Sequence, residues 1–304
     1  MKKIKKTVII AGYQCNNNCR FCLNVNKRDL VNKTTSQIIR EMTRARKERF
    51  TYLELIGGEP TIRPDIIDLI KFAHKLRFET VMMATNGRLF SYKEFAKKII
   101  DAGLTDLIFS IHGHNAKLHD SLTRVKGGFN QLMKGIKNVR NLGLKRLGTN
   151  TTIVKQNYRH LKKIGRLILK LGFRNSEFIF VDPTYGAAHN EFLKFVPKIS
   201  QAAPYIYQCL DLGQNKSFHW DIRYVPLCYF TDYLNRISEL HESNIFHTQH
   251  LAPDFINLDV ENSRRQIART KTKRCEGCKL YDKCEGIWKE YLKYYGDKEL
   301  KPII

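Results

Sequence analysis

Short apolar runs alternate with longer amphipathic runs through about the first 180 residues, and this rhythm constrains the fold more than any other feature. Continuous apolar strands separated by amphipathic helices indicate a parallel sheet covered by helices. In such folds the reactive site lies at the carboxyl ends of the strands. The predicted strands cover residues 7–11, 52–56, 80–84, 106–110, 146–153 and 177–181, and the predicted helices cover residues 35–48, 65–77, 92–102, 129–142 and 157–171.

The rhythm stops after Asp182 and Pro183, where we place a domain boundary. Residues 183–260 are irregular and aromatic-rich, and the last stretch combines three cysteines with a predicted helix over residues 286–295. A chain of 304 residues is long enough for one large domain and a small one. We therefore predict an α/β domain over residues 1–182 and a small irregular domain over residues 183–304.

The chain is strongly basic, with 53 Lys and Arg against 29 Asp and Glu and a formal net charge of +24. Such an excess favours an acidic partner, above all RNA or DNA. The alternative is a lysine-rich composition with solvated faces, because the basic residues are spread along the chain without a recognisable nucleic-acid-binding motif. Both interpretations stay open at this point.

Membrane and export segments are not predicted. No run approaches the roughly 18 apolar residues of a membrane span, and the apolar stretch 7–12 is too short for a secretory signal. We expect a cytoplasmic protein. In a reducing compartment, eight cysteines clustered at ligand spacings indicate metal ligands rather than disulfides.

Cys15, Cys19 and Cys22 follow the first predicted strand in the spacing CxxxCxxC. A 4Fe–4S cube usually takes four cysteines, so three local ones leave one iron open to a small molecule. The pattern therefore suggests chemistry rather than electron storage. A structural zinc knuckle and three surface thiols are the simpler alternatives.

Polar groups also follow the next three predicted strands. The second strand ends in Gly57-Gly58-Glu59-Pro60, the third in Thr85-Asn86-Gly87, and the fourth in Ser110-Ile111-His112-Gly113. Two glycines expose backbone for close approach, and the carboxylate of Glu59 can hold an ammonium group. The cysteine triad, GGEP and TNG at successive strand ends predict a joint site more strongly than any of them alone.

With Phe21 before its last cysteine, the chain resembles the radical S-adenosylmethionine (SAM) enzymes over roughly residues 7–181. The resemblance implies a partial (β/α)6 TIM-like barrel with a small irregular C-terminal iron–sulfur extension. It implies that Cys15, Cys19 and Cys22 hold a 4Fe–4S cluster whose open iron chelates SAM. The cofactor contacts that it implies are Phe21, Gly57, Gly58, Glu59, Asn86 and Ser110.

The resemblance also implies the reaction. One electron cleaves SAM to a 5′-deoxyadenosyl radical, which takes a hydrogen atom from a bound substrate while the protein orients and shields it. A reduced electron donor such as flavodoxin or ferredoxin is the implied partner.

A second cysteine set lies near the C-terminus, where Cys275, Cys278 and Cys284 have metal-ligand spacing. It resembles the core of the SPASM and twitch extensions, which carry auxiliary 4Fe–4S clusters. Trp288 stands where the full SPASM pattern continues with a cysteine, so we expect one auxiliary cluster, with Cys228 as the fourth ligand. A structural zinc site made of the same four thiolates is the alternative.

The remaining reactive side chains give weaker indications. Cys209 is read as a buried small hydrophobe, or otherwise as a cluster ligand or hydrogen-atom donor. Asp182, Tyr185 and His189 either face the substrate or form an ordinary polar turn. His112, His114 and His119 lie close together in sequence, and a solvated loop explains them as well as a ligand role does.

Three functions follow. The leading hypothesis is a radical SAM oxidoreductase or maturase acting on a peptide or small molecule, with one auxiliary cluster. The second is radical modification of tRNA or another RNA, motivated by the charge of +24. The third is a zinc-stabilised RNA-binding protein without enzymatic activity, in which GGEP and TNG have no role.

Overall fold

A computed structural model describes residues 3–144, 146–214 and 218–304. Six strands and the helices between them follow the predicted rhythm: β1 (Ile4–Ile10), α1 (Thr35–Lys47), β2 (Tyr52–Ile56), α2 (Ile66–Lys75), β3 (Thr80–Thr85), α3 (Lys93–Asp101), β4 (Asp106–Ser110), α4 (Ala116–Thr123), α5 (Gly128–Asn141), β5 (Arg146–Ile153), α6 (Leu161–Lys170) and β6 (Asn175–Phe180). The strands β1 to β6 are parallel and neighbour one another in chain order. This arrangement confirms the predicted class, a partial TIM-like α/β barrel.

The later part of the chain holds more regular structure than its sequence suggested. Its elements are α7 (Ala187–Asn190), α8 (Phe192–Phe195), α9 (Ile199–Gln214), β7 (His219–Arg223), α10 (Ser238–Ile245), β8 (Phe246–Leu251), β9 (Ile256–Asn257), α11 (Val260–Ser263), β10 (Arg269–Thr270), β11 (Ile287–Trp288) and α12 (Lys289–Tyr295). The expectation that residues 183–260 are irregular is therefore wrong in part. The division into two domains at residue 183 stays a prediction.

Two of these later strands extend the main sheet at opposite ends. Strand β7 pairs in parallel with β6, and β8 pairs in parallel with β1, so the order is β7-β6-β5-β4-β3-β2-β1-β8-β9. Helix α10 contacts both β7 and β8 and so bridges the two ends of the curved sheet. A small antiparallel pair, β10 and β11, lies apart from it.

The two faces of the sheet differ in chemistry. Alternate residues such as Leu53 and Leu55 of β2 are fully buried against the helices, where they join one large apolar core. The other face carries Lys6, Glu54 and Ile56, which are only partly buried. The sheet therefore separates an apolar outer layer from a more polar inner space.

Local sequence fixes where the helices begin and end. At the start of α1, the Thr34 hydroxyl accepts from the amide of Gln37 at 3.2 Å, and the Thr34 amide donates to the Gln37 side chain at 2.7 Å. This reciprocal pair satisfies two amides that the helix leaves free. Of the residues described, no helix is long and apolar enough to cross a membrane.

Candidate active site at the cysteine loop

The loop that follows β1 brings Cys15, Cys19 and Cys22 together, with all three thiols free and half-buried. Burial, together with the neighbouring thiols, raises the pKa of Cys15 to about 11 and that of Cys19 to about 12. Three thiolates crowded in this way need a positive partner, because burial and mutual repulsion both disfavour their charged form. The donor set therefore fits an iron–sulfur core, whose bound irons would supply that charge.

Helix α4 fixes the middle of the cysteine loop. The amides of Asn18 and Arg20 donate to the carbonyl oxygens of Thr123 and Leu122 at 3.0 and 2.8 Å. These carbonyls lie at the end of α4, where the helix itself leaves them without partners. Arg124 then ends the helix in the left-handed conformation, at φ 57°. The loop thus serves as the cap of α4.

Arg88 holds the loop from the side of β3. Its guanidinium donates to the carbonyl oxygen of Asn16, to Oδ1 of Asn17 at 3.2 Å and to Oε1 of Gln131 at 2.6 Å. The sequence analysis did not single out this residue, although it follows directly after Thr85-Asn86-Gly87.

The glycines of GGEP lie against the chain that leads into the cysteine loop. A Cβ atom on Gly57 would lie 2.2 Å from the carbonyl oxygen of Gly12, and one on Gly58 would lie 2.0 Å from that of Gln14. The amides of Gly58 and Glu59 donate to the same two oxygens, each at 2.9 Å. The lack of a side chain at Gly57 and Gly58 therefore allows the protein's own backbone to approach them closely.

The Glu59 carboxylate is buried and fully engaged by neighbouring donors. It accepts from the amide and hydroxyl of Thr61 at 3.2 and 2.6 Å, from the hydroxyl of Thr85 at 2.7 Å and from the amide of Asn86 at 2.7 Å. Burial raises its pKa, and these hydrogen bonds oppose that rise. In this structure Glu59 braces the end of β2 against the end of β3, a role that its sequence motif did not reveal.

Asn86 links the hydrogen bonds around Glu59 to the cysteine loop. Its Nδ2 donates to Oδ1 of Asn16 at 2.6 Å and lies 3.9 Å from Sγ of Cys15. Asn86 and the first cysteine are thus neighbours. Ser110, at the end of β4, is half-buried on the inner face.

Phe21 and two histidines form a packed wall behind the loop. The rings of Phe21 and His112 meet edge to face at 4.9 Å, and those of His112 and His119 stack at 6.0 Å. Both histidines are buried, and burial lowers the pKa of His112 to about 3 and of His119 to about 4. They are neutral packing groups, so the expectation of a solvated loop does not hold for them.

Lys27 joins the cysteine loop to the turn between β8 and β9. Its ammonium lies 2.7 Å from Oδ2 of Asp254 and 5.1 to 5.2 Å from the ring centres of Tyr13, Tyr185 and Phe255. We call these five residues the Lys27 cage. Ion pairing and cation–π attraction act together here, so three distant parts of the chain are held at one point.

The segment after β6 crosses over the same loop. The Ala187 amide donates to the carbonyl oxygen of Cys22 at 3.0 Å, and a Cβ atom on Gly186 would lie 2.2 Å from that of Leu23. Asp182 bonds to Thr184, and His189 contacts the carbonyl oxygen of Pro183 at 3.2 Å. Within this segment, only Tyr185 joins the Lys27 cage.

Charged groups line the inner face of the sheet below the loop. Lys6 lies 3.8 Å from Glu54, and Arg223 pairs with Glu177 at 2.7 Å and also with Glu242. The side chains of Lys6, Glu54 and Arg223 keep 15–16% of their surface accessible although they lie within the barrel. Barrel interiors are usually filled by branched apolar residues, so this one is a polar space.

The second cysteine set also converges. Cys228, which follows β7, lines one pocket with Cys275, Cys278 and Cys284. The amides of Gly286 and Ile303 donate to the sulfurs of Cys284 and Cys278 at 3.3 and 3.4 Å. Across the described ranges, no three His, Cys, Asp or Glu side chains lie close enough together to hold a single metal ion.

Two neighbouring residues lie outside this pocket. Cys209 is 1% exposed, and its sulfur lies 2.9 Å from where a Cβ on Gly165 of α6 would be. Its packing between α9 and α6 fits a buried small hydrophobe. Trp288 is also buried, beneath the guanidinium of Arg269 at 5.3 Å.

A separate cavity of about 290 Å³ lies beside GGEP. Gly12, Gln14, Gly58 and Glu59 line it together with the start of α1, and none of the three loop cysteines is among its lining residues. It therefore opens on the α1 side of the GGEP segment.

Comparison with known proteins gives a family match over the first half of the chain. The profile of the Radical SAM superfamily matches residues 9–168. The probable GTP 3',8-cyclase of Saccharolobus solfataricus is 29% identical over 176 residues, which make up 58% of this chain and 56% of that protein. The AdoMet-dependent heme synthase of Methanosarcina barkeri is 31% identical over 175 residues, 56% of this chain and 48% of that protein.

A third relative is the mycofactocin maturase MftC of Mycolicibacterium smegmatis, 29% identical over 161 residues, or 53% of this chain and 40% of that protein. The matched part of the chain spans about half the length of these curated relatives. All three are named as enzymes.

Solved structures share the fold over nearly the whole chain. Streptococcus suis SuiB bound to S-adenosylmethionine superposes with a TM-score of 0.69 and 18% identity, over 96% of this chain and 74% of that one. Native anSMEcpe with bound AdoMet and Cp18Cys peptide gives 0.70 and 15%, over 99% of this chain and 93% of that one. At these identities the likeness shows the fold.

Proposed function

We propose that this chain, which belongs to the radical SAM superfamily, cleaves SAM reductively and abstracts a hydrogen atom from a peptide or small-molecule substrate. The superfamily match covers residues 9–168 and implies a 4Fe–4S cluster and SAM as cofactors. The same match supports the predicted class, a radical SAM enzyme. When bound, these cofactors supply an organic radical, and the protein supplies orientation and shielding.

The residues proposed to hold the first cluster are Cys15, Cys19 and Cys22. Their support is the chemistry of the donor set: three free, crowded thiols held on a loop that α4, Arg88 and Asn86 fix in place. Gly57, Gly58, Glu59, Asn86, Ser110 and Phe21 remain proposed as SAM contacts. Because four protein donors engage the Glu59 carboxylate, we propose that it also holds the surrounding backbone in position.

An auxiliary cluster is the finer part of the proposal, and one observation carries it. Cys228 is far from the other three cysteines in sequence, yet all four line one pocket. A four-iron cube, in which each thiolate binds a separate iron, is the proposed occupant of this pocket. A tetrahedral zinc site made of the same four thiolates is the alternative that the metal analysis below distinguishes.

A peptide is the favoured substrate class. MftC is named a maturase, and a SuiB structure of the same fold is described as bound to its precursor peptide SuiA. The polar inner space lined by Lys6, Glu54 and Arg223 offers ionic and hydrogen-bonding groups to a polar substrate. A small molecule such as a nucleotide is the alternative substrate class.

The test is anaerobic reconstitution followed by iron, sulfide and zinc analysis, with 5′-deoxyadenosine measured after addition of SAM and dithionite. We expect about eight irons per chain, since each cube holds four, and formation of 5′-deoxyadenosine. About four irons with one zinc would refute the auxiliary cluster and keep the radical chemistry. Zinc alone without cleavage would refute the enzyme.

Matched cysteine variants separate the two sites. Cys19→Ala should abolish 5′-deoxyadenosine formation, whereas Cys209→Ala should leave both the iron content and the cleavage unchanged because Cys209 lies in the apolar core. Cys278→Ala should lower the iron content to about four per chain while cleavage persists.

RNA modification is a second candidate, supported by the net charge of +24. It requires RNA binding whose affinity falls steeply with salt, because counterions leave the phosphates on binding. Binding of an unmodified tRNA between 50 and 200 mM salt tests it. No measurable binding at the lower salt would contradict it.

A further inference from the structure

Basic side chains surround the pocket formed by the four C-terminal cysteines. Lys271 lines the pocket itself, and the others are exposed and lie within two residues of Cys275, Cys278 or Cys284, except for Lys301, whose backbone amide donates to the Cys228 sulfur. We call this set the basic collar. Its members are Lys271, Lys273, Arg274, Lys279, Lys283 and Lys301.

The collar carries a local excess of positive charge. Residues 271–284 and Lys301 together contain six basic side chains and two acidic ones, Glu276 and Asp282, a net charge of +4. Glu285 is engaged by Arg264 at 2.7 and 2.8 Å and does not offset it. In the part of the chain that the structure describes, no carboxylate side chain lies within 4.0 Å of a collar cation.

These cations surround thiols that reach the surface. Cys228, Cys275, Cys278 and Cys284 are all half-buried, unlike the enclosed Cys209. A cluster in this position would be close enough to solvent for another protein to approach it. At the cysteine loop after β1, residues 186–187 contact the backbone of Cys22 and Leu23.

We propose that the basic collar is the docking surface for an acidic, single-electron donor protein, an inference that rests on the function proposed above. Complementary charge speeds and orients such an encounter. One electron passes from the reduced flavin or iron–sulfur centre of the donor to the enzyme. The donor is oxidised by one electron, and the enzyme is reduced by one.

The surroundings favour a protein over RNA as the occupant. Single-stranded RNA is usually held by exposed aromatic rings on which bases stack. The collar's exposed ring, Tyr281, is covered by the Lys271 ammonium at 3.9 Å from its centre. A compact cluster of charges around the four proposed cluster ligands suits a small protein contact.

The experiment measures binding of flavodoxin to the anaerobically reconstituted protein and to two triple variants. The collar variant is Lys273→Glu, Arg274→Glu and Lys283→Glu. The control is Lys93→Glu, Lys134→Glu and Lys137→Glu, exposed on α3 and α5, with the same change of net charge. We expect the collar variant to weaken binding about tenfold or more at 50 mM salt and the control to stay within about twofold.

Donor dependence gives an independent readout. With reduced flavodoxin the collar variant should form 5′-deoxyadenosine more slowly, whereas with dithionite it should match the wild type. Equal losses for both triple variants, or unchanged binding, would overturn the docking site. Loss of tRNA binding without loss of flavodoxin binding would also overturn it and assign the collar to RNA.

The two proposals fail in different ways. If dithionite yields no 5′-deoxyadenosine from the wild type, the proposed function fails whatever the binding shows. If dithionite works and flavodoxin binds both triple variants alike, only the docking site fails. Iron content of the collar variant, expected to equal that of the wild type, shows that the substitutions leave the cysteine pocket intact.

Discussion

The two cysteine sites are built in opposite ways. Cys15, Cys19 and Cys22 lie close in sequence, and α4, Arg88 and Asn86 hold the loop between them. The C-terminal pocket gathers Cys228 and a distant cysteine segment, and it faces outward among lysines. The first site is therefore fixed by the barrel around it, whereas the second depends more on its own short turns.

This difference suggests different tolerances. At the cysteine loop, backbone segments pack so closely that some positions accept no side chain. At the C-terminal pocket, a Cβ on Gly277, between Cys275 and Cys278, would meet no atom within 4 Å. The structural effect of a substitution next to the first site should extend into the barrel. The effect of a substitution next to the second site should stay local.

The largest expected effect is that of Gly58→Ala. Its Cβ would lie 2.0 Å from the carbonyl oxygen of Gln14, so the end of β2 must move away and lose two backbone hydrogen bonds. We expect a loss of at least about 3 kcal/mol in the free energy of unfolding. Urea denaturation of the cluster-free protein measures it.

Gly277→Ala is the matched control at the second site. Its backbone is left-handed, at φ 75°, and this strain alone should cost about 1 kcal/mol. Similar losses for the two variants would contradict the view that the first site is the more constrained one.

The next effect is that of Glu59→Ala. The substitution leaves four donors on Thr61, Thr85 and Asn86 without their acceptor inside the protein, which should cost about 3 kcal/mol. Glu59→Gln keeps the shape and one acceptor oxygen, and we expect a loss of about 1–2 kcal/mol. Thermal and urea unfolding give both values. Equal losses in the free energy of unfolding for the two variants would show that the charge of Glu59, rather than its hydrogen bonds, holds β2 against β3.

The third effect is a dependence of the free energy of unfolding on pH. The pKa of His112 in the folded protein is about 3, and those of His119 and His250 are about 4, well below the ordinary value of about 6.5. The stability that they contribute is present above pH 6.5 and is lost as pH falls, because the unfolded chain takes up protons first.

At pH 5.5 each histidine should cost about 1 kcal/mol relative to pH 6.5. His119→Asn keeps a hydrogen-bond acceptor and removes one titrating group, so about a third of this slope should disappear. Urea unfolding at a series of pH values measures it. An unchanged slope would show that other groups carry the pH dependence.

The sequence was enough to predict the strands that have one face in the apolar layer. Strands β1 to β6 have continuous or alternating apolar residues because one face packs against helices. Strands β7 and β8, with sequences HWDIR and FHTQHL, were missed. Their inner face lines a polar space, so charged and polar residues interrupt the apolar pattern on which strand prediction depends.

The braces around the cysteine loop were missed for another reason. Asp254 is 227 residues from Lys27, and Glu59 looks from its motif like a ligand-binding carboxylate rather than an engaged one. Such roles arise from the folded arrangement, because a hydrogen-bond partner far along the chain leaves no local pattern. Cys228 was proposed only through the family resemblance, and the structure brings it to the same pocket as its predicted partners.

The smallest expected effects compare two lysines that lie over aromatic rings. Lys27 is about three-quarters buried within three rings and pairs with Asp254 at 2.7 Å, whereas Lys271 lies over the single exposed ring of Tyr281. Lys27→Met keeps the apolar stem and removes the charge, and we expect it to cost about 1–2 kcal/mol. Lys271→Met should cost about 0.5 kcal/mol, because its contact is exposed to water.

A double-mutant cycle of Lys27→Met with Asp254→Asn isolates the ion pair from the rings. A coupling free energy of about 1 kcal/mol would mean that the C-terminal part of the chain stabilises the cysteine loop directly. Reconstituted iron should then be retained less well by Lys27→Met than by Lys271→Met on exposure to a chelator. A coupling near zero, with equal iron retention, would mean that the barrel alone holds the loop and that the two sites are independent.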